Sequence, residues 1–213
     1  MQIILASQSP SRASILRGAG VDPVLRPAHV DEAAIIDGLY DAAPAEVVSR
    51  LAVAKAQKIA PEFPEDVIIG GDSMLLLDGE LQGKPHTVEA TMERWRSQAG
   101  KTAELLTGHC VLWGDQKHVE TSRTTVRFAQ ATTADIRAYA NTGEPLECAG
   151  AFTLEAIGGW FIDRIEGDPS SVIGLSLPVV RRALYSFGLS VSEFWPPAKT
   201  AAATDDSLAT VTN

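Results

Sequence analysis

An acid set between two apolar runs is the first chemical signal in this chain. Gly70-Gly71-Asp72-Ser73 separates Val67-Ile68-Ile69 from Met74-Leu75-Leu76-Leu77. A carboxylate in such surroundings is costly unless it is paired, protonated or holding a metal. The two glycines before it let backbone and ligand approach closely. The same four residues also read as a turn whose aspartate is satisfied by local amides. Glu32, in His29-Val30-Asp31-Glu32, supplies a second acid able to reach the same cleft. One or two carboxylates, completed by water and phosphate, are the usual ligands of magnesium.

Groups suited to an anion lie elsewhere in the chain. Ser7-Gln8-Ser9-Pro10-Ser11-Arg12 joins a strand-like segment to a helix, with Ser9 placed to cap the helix and Pro10 suited to its first turn. Free amides, the helix dipole and the fork of Arg12 make that corner an anion site. Simple capping with a solvated arginine is the plainer reading. Lys55 and Lys84 complete the basic set. A solvated surface charge remains the alternative for Lys55, whereas Gly83 and Pro85 fix the backbone beside Lys84.

Other chemistries find little support. His29, His86, His109 and His118 are scattered without metal-ligand spacing. Neither a Walker phosphate loop nor a Gly-x-Gly-x-x-Gly turn occurs. Trp95, Trp113, Trp160 and Trp195 read as core or lobe-interface residues. Cys110 and Cys148 form no Cys-x-x-Cys pair and are expected to be reduced thiols. Eighteen Lys and Arg against 27 Asp and Glu leave a net charge of -9, which argues against nucleic acid as a partner. No apolar run approaches the ~20 residues a membrane span needs, so a soluble, cytoplasmic protein is expected.

The elements that must position these residues follow from periodicity and turn signals. A strand at Ile3–Ala6 leads into a helix carrying Ile15, Leu16 and Ala19 and stopped by Gly20. A second helix is predicted from Pro44 to Ala60, with Val47, Val48, Leu51 and Ala54 on one apolar face. Val67–Ile69 and Met74–Leu77 read as separate strands, and Asp78-Gly79 as a hairpin turn. A helix after Thr87, paired strands 102–113 and 117–128 joined at Gly114-Asp115, a helix over 133–140, a strand over 159–165 and a closing helix over 177–187 complete the pattern. The expected fold is α/β, with a mixed, partly antiparallel sheet flanked by helices and two lobes around a cleft. Residues 1–195 form one domain, and the small, polar stretch 196–213 is expected to be a disordered tail.

Taken in order, these segments resemble the Maf family of nucleotide pyrophosphatases. The resemblance rests on Leu5-Ala6-Ser7-Gln8-Ser9-Pro10-Ser11-Arg12, Val30-Asp31-Glu32, Lys55-Ala56, Gly71-Asp72-Ser73 and Gly83-Lys84-Pro85. Thr107-Gly108, Glu144 through Phe152, Glu166-Gly167-Asp168-Pro169 and Ile173-Gly174-Leu175 extend it over about residues 2 to 190. The resemblance implies a two-lobed fold like that of inosine triphosphate pyrophosphatases, often dimeric. It implies a divalent cation, Mg2+ or Mn2+, held by Asp72 and Glu32. Asp72 would be the proton acceptor, with Glu32 and Lys84 beside it in catalysis. Ser7, Ser9, Arg12 and Lys55 would grip the triphosphate. Water would attack the α-phosphorus, and pyrophosphate would leave as the cation and lysines absorb its charge.

Ser11, Ser73 and Glu155 fall where the family sets its base preference. Members directed at dTTP and UTP carry Arg, Thr and Gln there. The subgroup directed at 7-methyl-GTP shares Glu155 and Cys148 but carries Trp and Gln at Ser11 and Ser73. A broad or purine-leaning preference is therefore expected, since a glutamate accepts from the N1-H and N2 amino group of guanine. A non-catalytic nucleotide sensor or division regulator on the same fold is the rival reading, because a fold does not guarantee activity.

Overall fold

The computed structural model describes residues 1–196. Short strands β1 (Ile3–Leu5) and β2 (Val24–Leu25) flank the nine-residue helix α1 (Pro10–Gly18). Helices α2 (Glu32–Asp37) and α3 (Pro44–Ile59) precede the long strand β3 (Val67–Leu77), which turns at Asp78-Gly79 into β4 (Glu80–Gln82). Then come α4 (Val88–Gln98), the hairpin β5 (Thr102–Trp113) and β6 (Gln116–Phe128), and α5 (Thr133–Asn141). Strand β7 (Ile162–Glu166) and helices α6 (Pro169–Ile173) and α7 (Leu177–Ser186) end the fold.

The seven strands form one mixed sheet in the order β2-β1-β3-β5-β6-β7, with β4 on the far end of β3. β1 runs parallel to β2 and β3, while the remaining pairs are antiparallel. This is the expected α/β architecture. The expected break at Gly70-Gly71-Asp72-Ser73 does not occur, because β3 runs straight through these residues, each paired with β5. Asp72 is thus a mid-strand acid, and the turn reading of it fails. The strand expected over 159–165 begins only at Ile162, after a 3-10 turn over Ile157–Phe161.

Alternation along the strands fills the two faces differently. Ile3, Leu5, Val67 and Ile69 join α1 and α7 in one buried cluster, and Ile4, Ala6, Ile68 and Cys110 pack on α3 in another. A third cluster, around Trp95, Phe128 and Tyr139, lies where the distal halves of β3, β5 and β6 meet α4 and α5. Trp95 meets Phe128, Tyr139 and Phe161 edge to face, and Tyr139 and Phe161 form a tilted pair beside it. It is fully buried, as expected, but Trp160 is 85% and Trp195 53% exposed, so neither is a core residue. The expected tail lies outside the described residues except for Pro196.

Candidate active site

Two glycines decide where α3 lies. A Cβ on Gly70 would sit 2.2 Å from the Ala52 carbonyl oxygen, and one on Gly108 would sit 2.3 Å from that of Val48. Gly70 on β3 and Gly108 on β5 therefore let the helix backbone rest directly on the sheet. Asp72 faces the same side, two residues beyond Gly70 and directly opposite Gly108. Lys55, one residue before the Ala56 that packs on Gly70, is thereby carried onto it. Its Nζ lies 2.7 Å from Asp72 Oδ1 and 2.8 Å from Glu32 Oε1. Glu32 comes from the first turn of α2, which Asp31 caps by accepting the Ala34 N–H. The ammonium thus bridges both acids, and Lys55 is no free surface charge.

Asp72 is buried, and its Oδ2 has no hydrogen-bond partner. Burial pushes its carboxyl above the ordinary value of 3.8, against the pull of Lys55 and Arg12. An acceptor with a raised affinity for a proton and one open oxygen is suited to a water or a cation.

On the other face of β3, Gly71 and Ser73 meet the buried Arg12. Its Nε donates to the Gly174 carbonyl at 2.7 Å, and its two terminal nitrogens donate to Ser7 Oγ and Ser73 Oγ, each at 3.1 Å. Ser73 also shares a hydrogen bond with Thr107, whose hydroxyl donates to the Ser171 carbonyl. Burial lowers the guanidinium pKa, while Asp72 and Glu32 oppose the shift. Ser9 caps α1 by accepting the Arg12 N–H, and its own N–H donates to Ser7 Oγ. The expected helix start is therefore present, with the arginine buried rather than solvated.

Behind this site, the fully buried His109 accepts the Ser176 N–H at Nε2, 2.8 Å away. That bond secures the turn whose Gly174 carbonyl receives Arg12, and it requires the neutral imidazole. Burial first, and then the Arg12 charge, lower the pKa from 6.5 to about 4. The unfolded chain protonates His109 near 6.5 and the folded chain resists to about 4, so this contribution is complete above 6.5 and lost as pH falls toward 4. The window corresponds to about 3 kcal/mol. Thermal unfolding should show the Tm of the native protein falling faster between pH 7 and 4.5 than that of His109→Gln. Parallel profiles would contradict this role.

Ser7, Ser9, Ser11, Arg12, Glu32, Lys55, Asp72, Ser73, Lys84 and Glu155 all line one cleft of about 700 Å³. The ten expected site residues, drawn from distant segments, are thus brought together. Lys84 is held on the opposite rim, 3.2 Å from Glu147 Oε2, while His86 Nδ1 meets the other oxygen of the same carboxylate at 2.9 Å. Arg94 on α4 donates to the Gly83 and Lys84 carbonyls and so fixes their loop. Sequence reasoning placed Thr107, Glu144 and Glu147 in segments of the resemblance without giving them a role, and it did not single out Arg94.

No helix among the described residues is long and apolar enough to cross a membrane. Nor do those residues gather three or more His, Cys, Asp or Glu as a ready metal cage.

Comparison with known proteins places this geometry. The chain is 76% identical over 195 residues to a nucleoside triphosphate pyrophosphatase of Corynebacterium aurimucosum, covering 92% of this chain and 98% of that one. Proteins of the same name from Corynebacterium diphtheriae and Rhodococcus erythropolis are 70% and 54% identical, covering 92% and 91% of this chain and 98% and 96% of theirs. A solved Ham1 protein of Staphylococcus aureus aligns with 62% of this chain and 73% of its own at 16% identity and a TM-score of 0.41, too distant to assign a fold. The profile of the Maf-like proteins matches residues 2–187, so the cleft, its mid-strand acid and its two glycine contacts are those of a chain that belongs to the Maf-like protein family.

Proposed function

We propose that the protein is a nucleoside triphosphate pyrophosphatase, hydrolysing the bond between the α- and β-phosphates to give a nucleoside monophosphate and pyrophosphate. The open Oδ2 of Asp72, buried in a cleft that also holds Arg12, Lys55 and Lys84, carries this reading. A 76% identical relative that is named a nucleoside triphosphate pyrophosphatase supports the same reaction.

The residues fit a divalent cation of the Mg2+ or Mn2+ kind. Asp72 and Glu32 are hard oxygen donors, one with an unpartnered buried oxygen, and two carboxylates with water and phosphate are an ordinary magnesium set. When bound, such a cation supplies charge to the phosphates and lowers the pKa of water. The chain's own residues do the rest. Lys55 holds the two carboxylates in register, and Asp72 accepts the proton of the attacking water. Lys84, from the opposite rim, faces the leaving pyrophosphate and exchanges Glu147 for it. The N-terminus of α1, with Ser7, Ser9 and Arg12, holds the remaining phosphate oxygens. No covalent intermediate is needed, because positioning and electrostatic stabilisation supply the rate. Glu155, with Ser11 and Ser73 at the cleft, favours a broad or purine-leaning base choice.

A panel of canonical and modified NTPs with Mg2+ or Mn2+, scored for pyrophosphate, tests the reading. Pyrophosphate release is expected, abolished by chelation and restored by either metal. Absence of release from every NTP by folded, metal-supplied protein would sink it, as would equal rates after chelation.

A further inference from the structure

Among the carboxylates that line the cleft, Glu147 pairs with Lys84, and Asp72 and Glu32 pair with Lys55, whereas Glu144 and Glu155 make no ion pair among the described residues. A carboxylate with no cation beside it repels a triphosphate, so Glu155 suits the uncharged part of the nucleotide, whose ring N–H and amino groups are donors. Glu155 stands exposed on a short loop, Leu154-Glu155-Ala156-Ile157.

One carboxylate pins both ends of that loop. Glu144 Oε1 accepts the Gly158 N–H at 3.0 Å and the Thr153 hydroxyl, and Oε2 accepts the Ile157 N–H at 3.2 Å. Thr153 Oγ1 accepts the same Gly158 N–H at 3.1 Å, and the Thr153 N–H donates to the Tyr139 hydroxyl at 3.1 Å. A Cβ on Gly158 would lie 2.5 Å from that hydroxyl, so the closure leaves no space to adjust. Burial acts to raise the Glu144 pKa, but these hydrogen bonds outweigh it and hold the carboxyl below its ordinary value.

We propose that Glu144 is a positioning residue for base selection: by clamping Thr153, Ile157 and Gly158, it fixes the acceptor pattern that the 154–157 loop presents to the nucleobase. This rests on the pyrophosphatase reading, but it concerns discrimination and not the chemical step. Glu144 lines the same cleft, but its carboxylate is taken up by Thr153, Ile157 and Gly158 and makes no bond to Asp72. Its replacement by Gln sets an amino group against main-chain donors, and the loop loses its single geometry.

The test compares wild type, Glu144→Gln and Thr153→Val on GTP, ATP, CTP and UTP, alongside the Kd of non-hydrolysable α,β-methylene analogues of GTP and UTP. Thr153→Val removes only the bridging hydroxyl, and Thr153→Ser should restore it. The expected result is a collapse of the ratio of kcat/KM between the best and poorest base by tenfold or more. The change falls in KM for the favoured base, with kcat within about twofold and the analogue Kd ratio moving in step. Equal losses on all bases, a fall confined to kcat, an unchanged ratio, or a wild type that binds both analogues equally would overturn the proposal. Because the analogue ratio is read without turnover, failure of the pyrophosphatase reading appears separately, as a wild type that discriminates in binding but releases no pyrophosphate.

Discussion

Asp72→Asn lowers the rate of NTP hydrolysis by about 1000-fold while leaving nucleotide binding unchanged or tighter. The substitution keeps the shape of the side chain but removes its charge and places an amino group at one of its two oxygen positions. If that is the Oδ2 position, the open acceptor of this carboxylate is lost. Lys55 retains Glu32 as a partner at 2.8 Å, so its ammonium is not stranded. Arg12 and Lys84 are untouched, and loss of a negative charge beside the triphosphate removes a repulsion. The factor corresponds to about 4 kcal/mol of transition-state stabilisation. Single-turnover rates and Kd values with saturating Mg2+ separate the two effects. A variant retaining a tenth or more of the wild-type rate would show that Asp72 is not the proton acceptor.

Gly70→Ala has the second large effect, and it acts through the fold. The added methyl would stand 2.2 Å from the Ala52 carbonyl oxygen, 2.8 Å from the Ala56 nitrogen and 2.9 Å from the Ala56 Cβ. Two of these are backbone atoms, so no rotamer change relieves the contact, and α3 must lift from the sheet. Overpacking costs 1–3 kcal/mol where side chains can yield, and this site should reach about 3 kcal/mol, or roughly 10 °C in Tm for a chain of this size. Gly108→Ala should behave alike, since its Cβ would be 2.3 Å from the Val48 carbonyl oxygen. Lifting α3 also draws Lys55 from Asp72, so the surviving folded fraction should show a reduced kcat. A Gly70→Ala protein with native Tm and kcat would mean that helix and sheet do not meet as described.

Much of the site is legible in the residues themselves. Asp72 stands out because apolar runs flank it, and Ser9, Pro10 and Arg12 announce a helix start built to hold charge. The strand through Asp72 is harder to see. Gly70-Gly71 carries the local signature of a turn, yet Gly70 is there because a helix from residues 44–59 must pass over it. That requirement is tertiary and leaves no periodic trace. The links from Lys84 to Glu147 and from Arg94 to the Gly83 carbonyl are likewise products of folding. Helices α2 and α6, of six and five residues, are too short to establish a hydrophobic period. Trp160 misleads for the opposite reason: a large apolar side chain suggests burial, but the 3-10 turn that carries it leaves it in solvent.

The most direct test of the proposed reaction is hydrolysis of an NTP in water enriched in oxygen-18, with the products resolved by phosphorus NMR or mass spectrometry. Attack at the α-phosphorus, with Asp72 accepting the proton of water and pyrophosphate leaving toward Lys84, places the label wholly in the nucleoside monophosphate. Label in pyrophosphate, or release of orthophosphate with a nucleoside diphosphate, would contradict that account and assign the cleft a different reaction.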